Sequence, residues 1–187
     1  MQNRQEKKKM KKIIALAQSL MLLLCMAAAL ADETAEKTRL GTLQVGGAFV
    51  IQSRIPDNYT FTTITATELN LVGTLTGGEG QPEVVVSIAY SEEYFGVERF
   101  NDVDEETVQK IREGFLDMDE VTFEDIETAY GTKLLKVTQA AGTFVDIYTI
   151  YKGYELEFVL TAPDGVQDKD VQMLVDFISD MDFVAAE

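Results

Sequence analysis

Apolar and polar side chains alternate most cleanly in residues 154–160, where Tyr154, Leu156, Phe158 and Leu160 share one face and Glu155 and Glu157 the other. That is the pattern of a half-buried strand. The run TFVDIYTIY precedes it, separated only by Lys152-Gly153, so residues 143–160 predict a β-hairpin. A two-residue turn places Tyr151 opposite Tyr154 and sends Val145, Ile147, Thr149 and Tyr151 to the apolar row. A three-residue loop would put Asp146 among Leu156 and Phe158, and burying an unpaired carboxylate there is costly. The two-residue turn is therefore favoured. It leaves Phe144, Tyr148 and Ile150 beside Glu155 and Glu157 on a second face, with Asp146 expected on that polar side. If this face is open it is the preferred partner-binding surface, and if a helix or sheet covers it, it is core with a polar rim.

Further strands are predicted at residues 49–55, 59–69, 69–75 and 83–90, the last nearly continuous in apolar residues and so central in a sheet. Residues 121–128 and 132–140 form two arms about Tyr130-Gly131 and, with the hairpin, a four-arm antiparallel meander. Two helices complete the pattern. One begins near Asp102 or Asp104 and carries Val108, Ile111, Phe115 and Met118 as a single stripe. The other, capped by Asp168 or Asp170, carries Val171, Leu174, Val175 and Ile178. Strands joined by short turns, with two one-sided helices to cover them, predict an α+β domain: a central antiparallel sheet of about six to seven strands and two main helices.

The N-terminus changes which residues belong to that domain. Lys7, Lys8, Lys9, Lys11 and Lys12 lead into an apolar run over residues 13–30 that ends in Ala29-Leu30-Ala31. A basic stretch, an apolar stretch and a small-x-small site predict a signal peptide over residues 1–31, cleaved after Ala31, and hence an exported, extracellular or periplasmic protein. A retained anchor is the alternative, since the run is about long enough to span a bilayer. Acylation at Cys25 fits less well, with bulky Leu24 before it and apolar residues after it. Residues 32–44 are expected to be a tether and residues 45–187 a single domain.

Cleavage also removes six of the sixteen basic residues and one of the thirty-two acidic ones, leaving 10 basic and 31 acidic residues, a formal charge of −21. Such a surface disfavours nucleic acid and anionic membranes, so neither binding partner nor membrane insertion is expected after cleavage. The sequence has no histidine and its one cysteine is Cys25. Ser-His-Asp and Cys-His nucleophiles and zinc sites of the usual His/Cys type are therefore outside its chemistry. The glycines of Thr76-Gly77-Gly78-Glu79-Gly80 precede a strand and lack a following Lys-Ser/Thr, so they are not a phosphate loop.

Three chemistries remain. Paired carboxylates could hydrolyse a saccharide, but acidic residues are too numerous for any pair to stand out. Asp102, Asp104 and Glu105, and the row Asp164, Asp168 and Asp170, could offer oxygen ligands to calcium. Neither matches an EF-hand loop, and helix capping explains both. Tyr94 and Phe95, in an aromatic segment with Tyr90 and Phe100, could line a groove or pack beneath a loop. No cofactor is implied.

The strand-to-turn pattern Phe49-x-Ile51-x-x-x-Ile55-Pro56-Asp57-x-Tyr59, the long hairpin with Gly153 in its turn, and the closing helix ending Phe177-Ile178-Ser179-x-Met181-x-Phe183 together resemble the PsbP-like superfamily of small exported α+β domains. The resemblance spans residues 45–184, with Tyr59 where such families often place Trp. It implies a layered antiparallel sheet flanked by helices and an accessory role, and it carries over no catalytic residue. The expectation is a non-catalytic exported binding or accessory domain that contacts a protein or cell-envelope component. A carboxylate hydrolase acting on a saccharide is the second reading, and a calcium-dependent surface module the third.

Overall fold

A computed structural model describes residues 41–45, 49–55, 58–67, 69–116, 118, 120–128, 130–140 and 142–185, all within the unit Lys37–Glu187. Residues 1–31, expected to be a signal peptide, lie outside the described residues. Seven strands form the central sheet, in the order β3-β4-β5-β9-β8-β7-β6. They are β3 (Thr60–Ala66), β4 (Asn70–Thr76), β5 (Glu83–Tyr90), β6 (Val121–Glu127), β7 (Lys133–Gln139), β8 (Phe144–Tyr151) and β9 (Tyr154–Thr161). Every pairing is antiparallel. The four-arm meander is β6 to β9, and β5 is central as its apolar run requires. With the two α-helices among the described residues, α1 (Glu105–Phe115) and α2 (Asp168–Ser179), the protein is an α+β domain with a central antiparallel sheet.

Each face of the sheet has its own core. On the first, Val84, Val86 and Ile88 of β5, Leu156, Phe158 and Leu160 of β9 and Ile147 of β8 pack against Leu174, Val175, Phe177 and Ile178 of α2. Phe158 and Phe177 meet edge to face, with ring centroids 6.4 Å apart. On the second, Leu135, Val137, Tyr148 and Ile150 pack against Ile111 and Phe115 of α1 and against Tyr94 and Phe100. Both amphipathic helices thus bury the stripes that their spacing predicts, and Met118, just past the end of α1, joins the second core.

Three local features depart from expectation. β1 (Gly41–Val45), inside the segment expected to be a tether, pairs with β2 (Phe49–Ser53). The stretch after α2 is the strand β10 (Asp182–Ala185) on the other side of β2, so these three strands form a separate small sheet. Ile51 inserts into the first core, and the Ser53 hydroxyl donates to the Phe177 carbonyl at 2.8 Å. The α2 N-cap is Gln167, not an aspartate: Asp170, three residues in, accepts the Gln167 amide at 3.0 Å. That reciprocal arrangement satisfies the same free amides that an aspartate at the cap would have served.

Gly73 holds the edge of the sheet. A Cβ there would stand 2.3 Å from Phe61 Cζ and 2.9 Å from the Thr62 carbonyl oxygen, so the partner strand itself would have to shift. Gly73→Ala is expected to lower stability by about 1–3 kcal/mol through overpacking. A urea titration checks this, and an unchanged midpoint would refute it.

Candidate functional site

The hairpin turn sets the geometry of the predicted site. Lys152 and Gly153 both take positive φ, 50° and 79°, as a two-residue primed turn requires. The register follows, with Tyr151 opposite Tyr154 and Tyr148 opposite Glu157. The turn is also tied to the preceding segment, since the Lys152 and Gly153 amides donate to the carbonyls of Glu98 and Val97, each at 3.0 Å. Residues 91–103, with 3-10 turns at Glu92–Tyr94 and Phe100–Asp102, are thereby drawn across the second face.

That face is covered. Tyr148 is 5% exposed and Ile150 fully buried. Phe100 and Phe115 meet the Tyr148 ring edge to face, at 6.0 and 6.2 Å. The Tyr148 hydroxyl donates to Glu155 Oε2 at 3.2 Å and is also hydrogen-bonded to Tyr94, while Ser91 supports Glu155. Of the residues expected to bind a partner, Tyr94, Tyr148, Ile150, Glu155 and Glu157 come together here, and Phe144 is partly buried on the same face. As a surface open to solvent this face is not available, because α1 and the two 3-10 turns close over it. Phe95 stands apart, 81% exposed beside buried Tyr94.

The same cover buries Asp146, which is only 3% exposed although it sits on the expected side of the sheet. Burial, then the nearby Glu157 charge and a hydrogen bond to Glu157, raise the Asp146 carboxyl well above its ordinary range. Burial also raises Glu157, and the bond from Asp146 offsets part of that. With both groups ionised, Asp146 Oδ1 has no hydrogen-bond donor. Placing the proton on Asp146 lets it donate to Glu157, which relieves both the repulsion and the missing partner. Burial raises Glu155 as well, and pushes the Tyr94 hydroxyl up to about 12, with the Glu155 charge contributing next.

The acidic clusters at the helix starts are occupied locally. Asp104 caps α1, accepting the Thr107 amide at 2.9 Å and the Thr107 hydroxyl at 3.0 Å, and Asp102 accepts the Arg99 amide at 3.2 Å. The Thr107 bonds hold the Asp104 carboxyl below its ordinary value. Among the described residues, no three acidic side chains converge as metal ligands, and no helix is long and apolar enough to cross a membrane.

The open concavity lies elsewhere, on the first face, between α2 and the outer strands β6 and β7. It holds about 590 Å³. Ile126, Val171 and Val175 supply apolar lining, Glu124, Glu127, Asp168, Asp176 and Asp180 supply carboxylates, and Tyr130 stands on the β6–β7 turn. Among the described residues Lys136 is the one basic side chain lining it, and Glu124 engages it at 2.9 Å. Tyr130 is 69% exposed. The acid spacing along residues 168–180 and the turn at Tyr130-Gly131 were both visible in the sequence. That they face one another across a groove depends on β6 being the last strand of the sheet.

The fold and groove define a class, a two-core α+β domain with an acid-lined cleft. Comparison of the chain with protein-family models, curated proteins and solved structures found no match.

Proposed function

We propose that the protein is a non-catalytic binding domain of an exported chain, and that the groove between α2 and β6–β7 is its contact surface for a protein or envelope component. The observation that carries this is an open cleft of about 590 Å³ in which Ile126, Val171 and Val175 form an apolar strip between acidic walls, with a largely exposed tyrosine at its edge. That volume falls in the range of about 300–1,000 Å³ over which proteins hold ligands. An exposed tyrosine beside apolar surface is the composition of recognition sites. Carboxylate hydrolysis would call for an acid of raised pKa beside an open cleft. The raised carboxyls, Glu83, Asp146, Glu155 and Glu157, do not line the groove, and the last three sit on the opposite face of the sheet. The resemblance of residues 45–184 to PsbP-like domains would imply an accessory role.

A photo-crosslinking side chain placed at Gln172, in the groove, should capture a partner from the native envelope, whereas the same group at exposed Gln109 on α1 should not. Capture at both positions or at neither would reject the groove as the contact surface.

A further inference from the structure

We infer that the groove takes an extended basic peptide segment of its partner, about five residues long and carrying several Lys or Arg. The inference rests on the groove being the contact surface, and it is drawn from how the charges and apolar atoms are laid out.

Asp168, Gln172, Asp176 and Asp180 stand at i, i+4, i+8 and i+12 along α2, all lining the groove. Such residues form one row on a helix, and twelve residues at 1.5 Å rise extend it over about 18 Å. Glu124 and Glu127 lie along the opposite wall. One small cation would meet only part of such a row. An extended chain advances about 3.3 Å per residue, so about five residues match it.

The apolar lining selects the kind of positive charge. Ile126, Val171 and Val175 offer aliphatic surface between the two acidic walls. Lys and Arg lay their methylene stems on such surface while the charged head reaches a carboxylate. Tyr130, with most of its ring surface in solvent, can take a guanidinium over its face. Lys136 is already engaged by Glu124, so the five carboxylates face a single internal cation. The rest of the chain adds to the attraction, since its acidic residues outnumber its basic ones two to one.

The probe is an acetylated, amidated hexa-arginine peptide carrying a fluorophore, titrated with the full protein and followed by anisotropy at low salt. Binding is expected, weakening steeply as salt rises. Asp176→Asn/Asp180→Asn should weaken it about tenfold and Tyr130→Ala severalfold. The double variant removes negative charge from the C-terminal end of a helix dipole, so the helix is not weakened and the melting midpoint should not fall. Glu98→Gln/Glu113→Gln, which neutralises two exposed acids outside the groove, should weaken binding by less than about twofold, the share of the long-range charge alone. No binding of hexa-arginine, or equal loss in the two double variants, would overturn the inference. So would spermine binding as tightly as the peptide, because a small polyamine would then suffice. Crosslinking from Gln172 separates this from the broader reading. A captured segment that is neutral or acidic would leave the contact surface standing and reject the basic peptide.

Discussion

Tyr148→Ala is expected to lower stability by about 3–5 kcal/mol, the cost of deleting a large aromatic side chain from a core. Tyr148 is the ring on which the second core is assembled. Phe100 and Phe115 both meet it edge to face, and Leu135, Val137 and Ile150 surround it. Its removal would also leave Glu155 without its 3.2 Å donor. Tyr148→Phe divides the two contributions. It keeps the ring and removes the hydroxyl, so the loss should be about 1–2 kcal/mol, the scale of one hydrogen bond to a charged group, with Ser91 still supporting Glu155. Urea unfolding measures both. If Tyr148→Ala fell within about 1 kcal/mol of the parent, well below the core-truncation range, the side chain would not be core.

The second large effect is on the pH dependence of stability, and its sign is opposite to that of most salt-bridged proteins. Asp146, Glu155 and Glu157 all have folded pKa values above their ordinary ones. The folded state therefore holds protons that the unfolded state releases, and stability falls as pH rises through the window between the two values. The contribution is fully present below about pH 4, where unfolded carboxyls are protonated, and is lost as pH passes the raised folded values. Asp104 acts in the other direction, because its pKa is lowered and its contribution disappears as pH falls through that lowered value. The melting midpoint should therefore be highest in mild acid and decline toward neutrality.

Asp146→Asn tests where that decline comes from. Asp146 faces Glu157 on β9 and lies opposite Val137 on β7, while Glu155 faces Tyr148, Tyr94, Ser91 and Glu93. An asparagine at position 146 can donate to Glu157 permanently, without a proton taken from solvent. The variant should be more stable than the parent at pH 7–8 by about 1–3 kcal/mol, the penalty scale of an unsatisfied buried polar group. The two should converge near pH 4, where the Asp146 side chain of the parent is protonated in both states. A variant less stable than the parent at pH 7, with the slope unchanged, would mean that the buried pair is not the source.

Individual residues show how far the chain could be read before folding. Alternation from Tyr154 to Leu160, together with the cost of placing Asp146 among Leu156 and Phe158, selects the two-residue turn, and the structure has that register. The stripe of Val108, Ile111 and Phe115 places α1 on the sheet, and Asp104 caps it. Asp146 exposes the boundary of such reasoning. Its position assigns it to the polar side of the hairpin, yet that side is sealed by α1 and residues 91–103. Nothing local to residues 143–160 records that a segment about fifty residues earlier will be tied across the turn by the Val97 and Glu98 carbonyls. The strand β10 escaped notice for a similar reason. The sequence pattern carries the closing helix on to Phe183, and only pairing with β2 makes residues 182–185 extended.

Period and turn chemistry are local, since they depend on steric preferences and on which neighbours share a face, so the sequence by itself determined the strands of the central sheet, the two one-sided helices, the hairpin register and the α+β class, but not β1 or β10. It also determined the available chemistry, because a chain without histidine cannot acquire one by folding. Tertiary structure alone decided which faces are covered, since burial depends on contacts between residues far apart in the chain. It turned the expected binding face into a core with a buried carboxyl pair. It also set α2 against the outermost strands, so that acids distant in sequence line one groove.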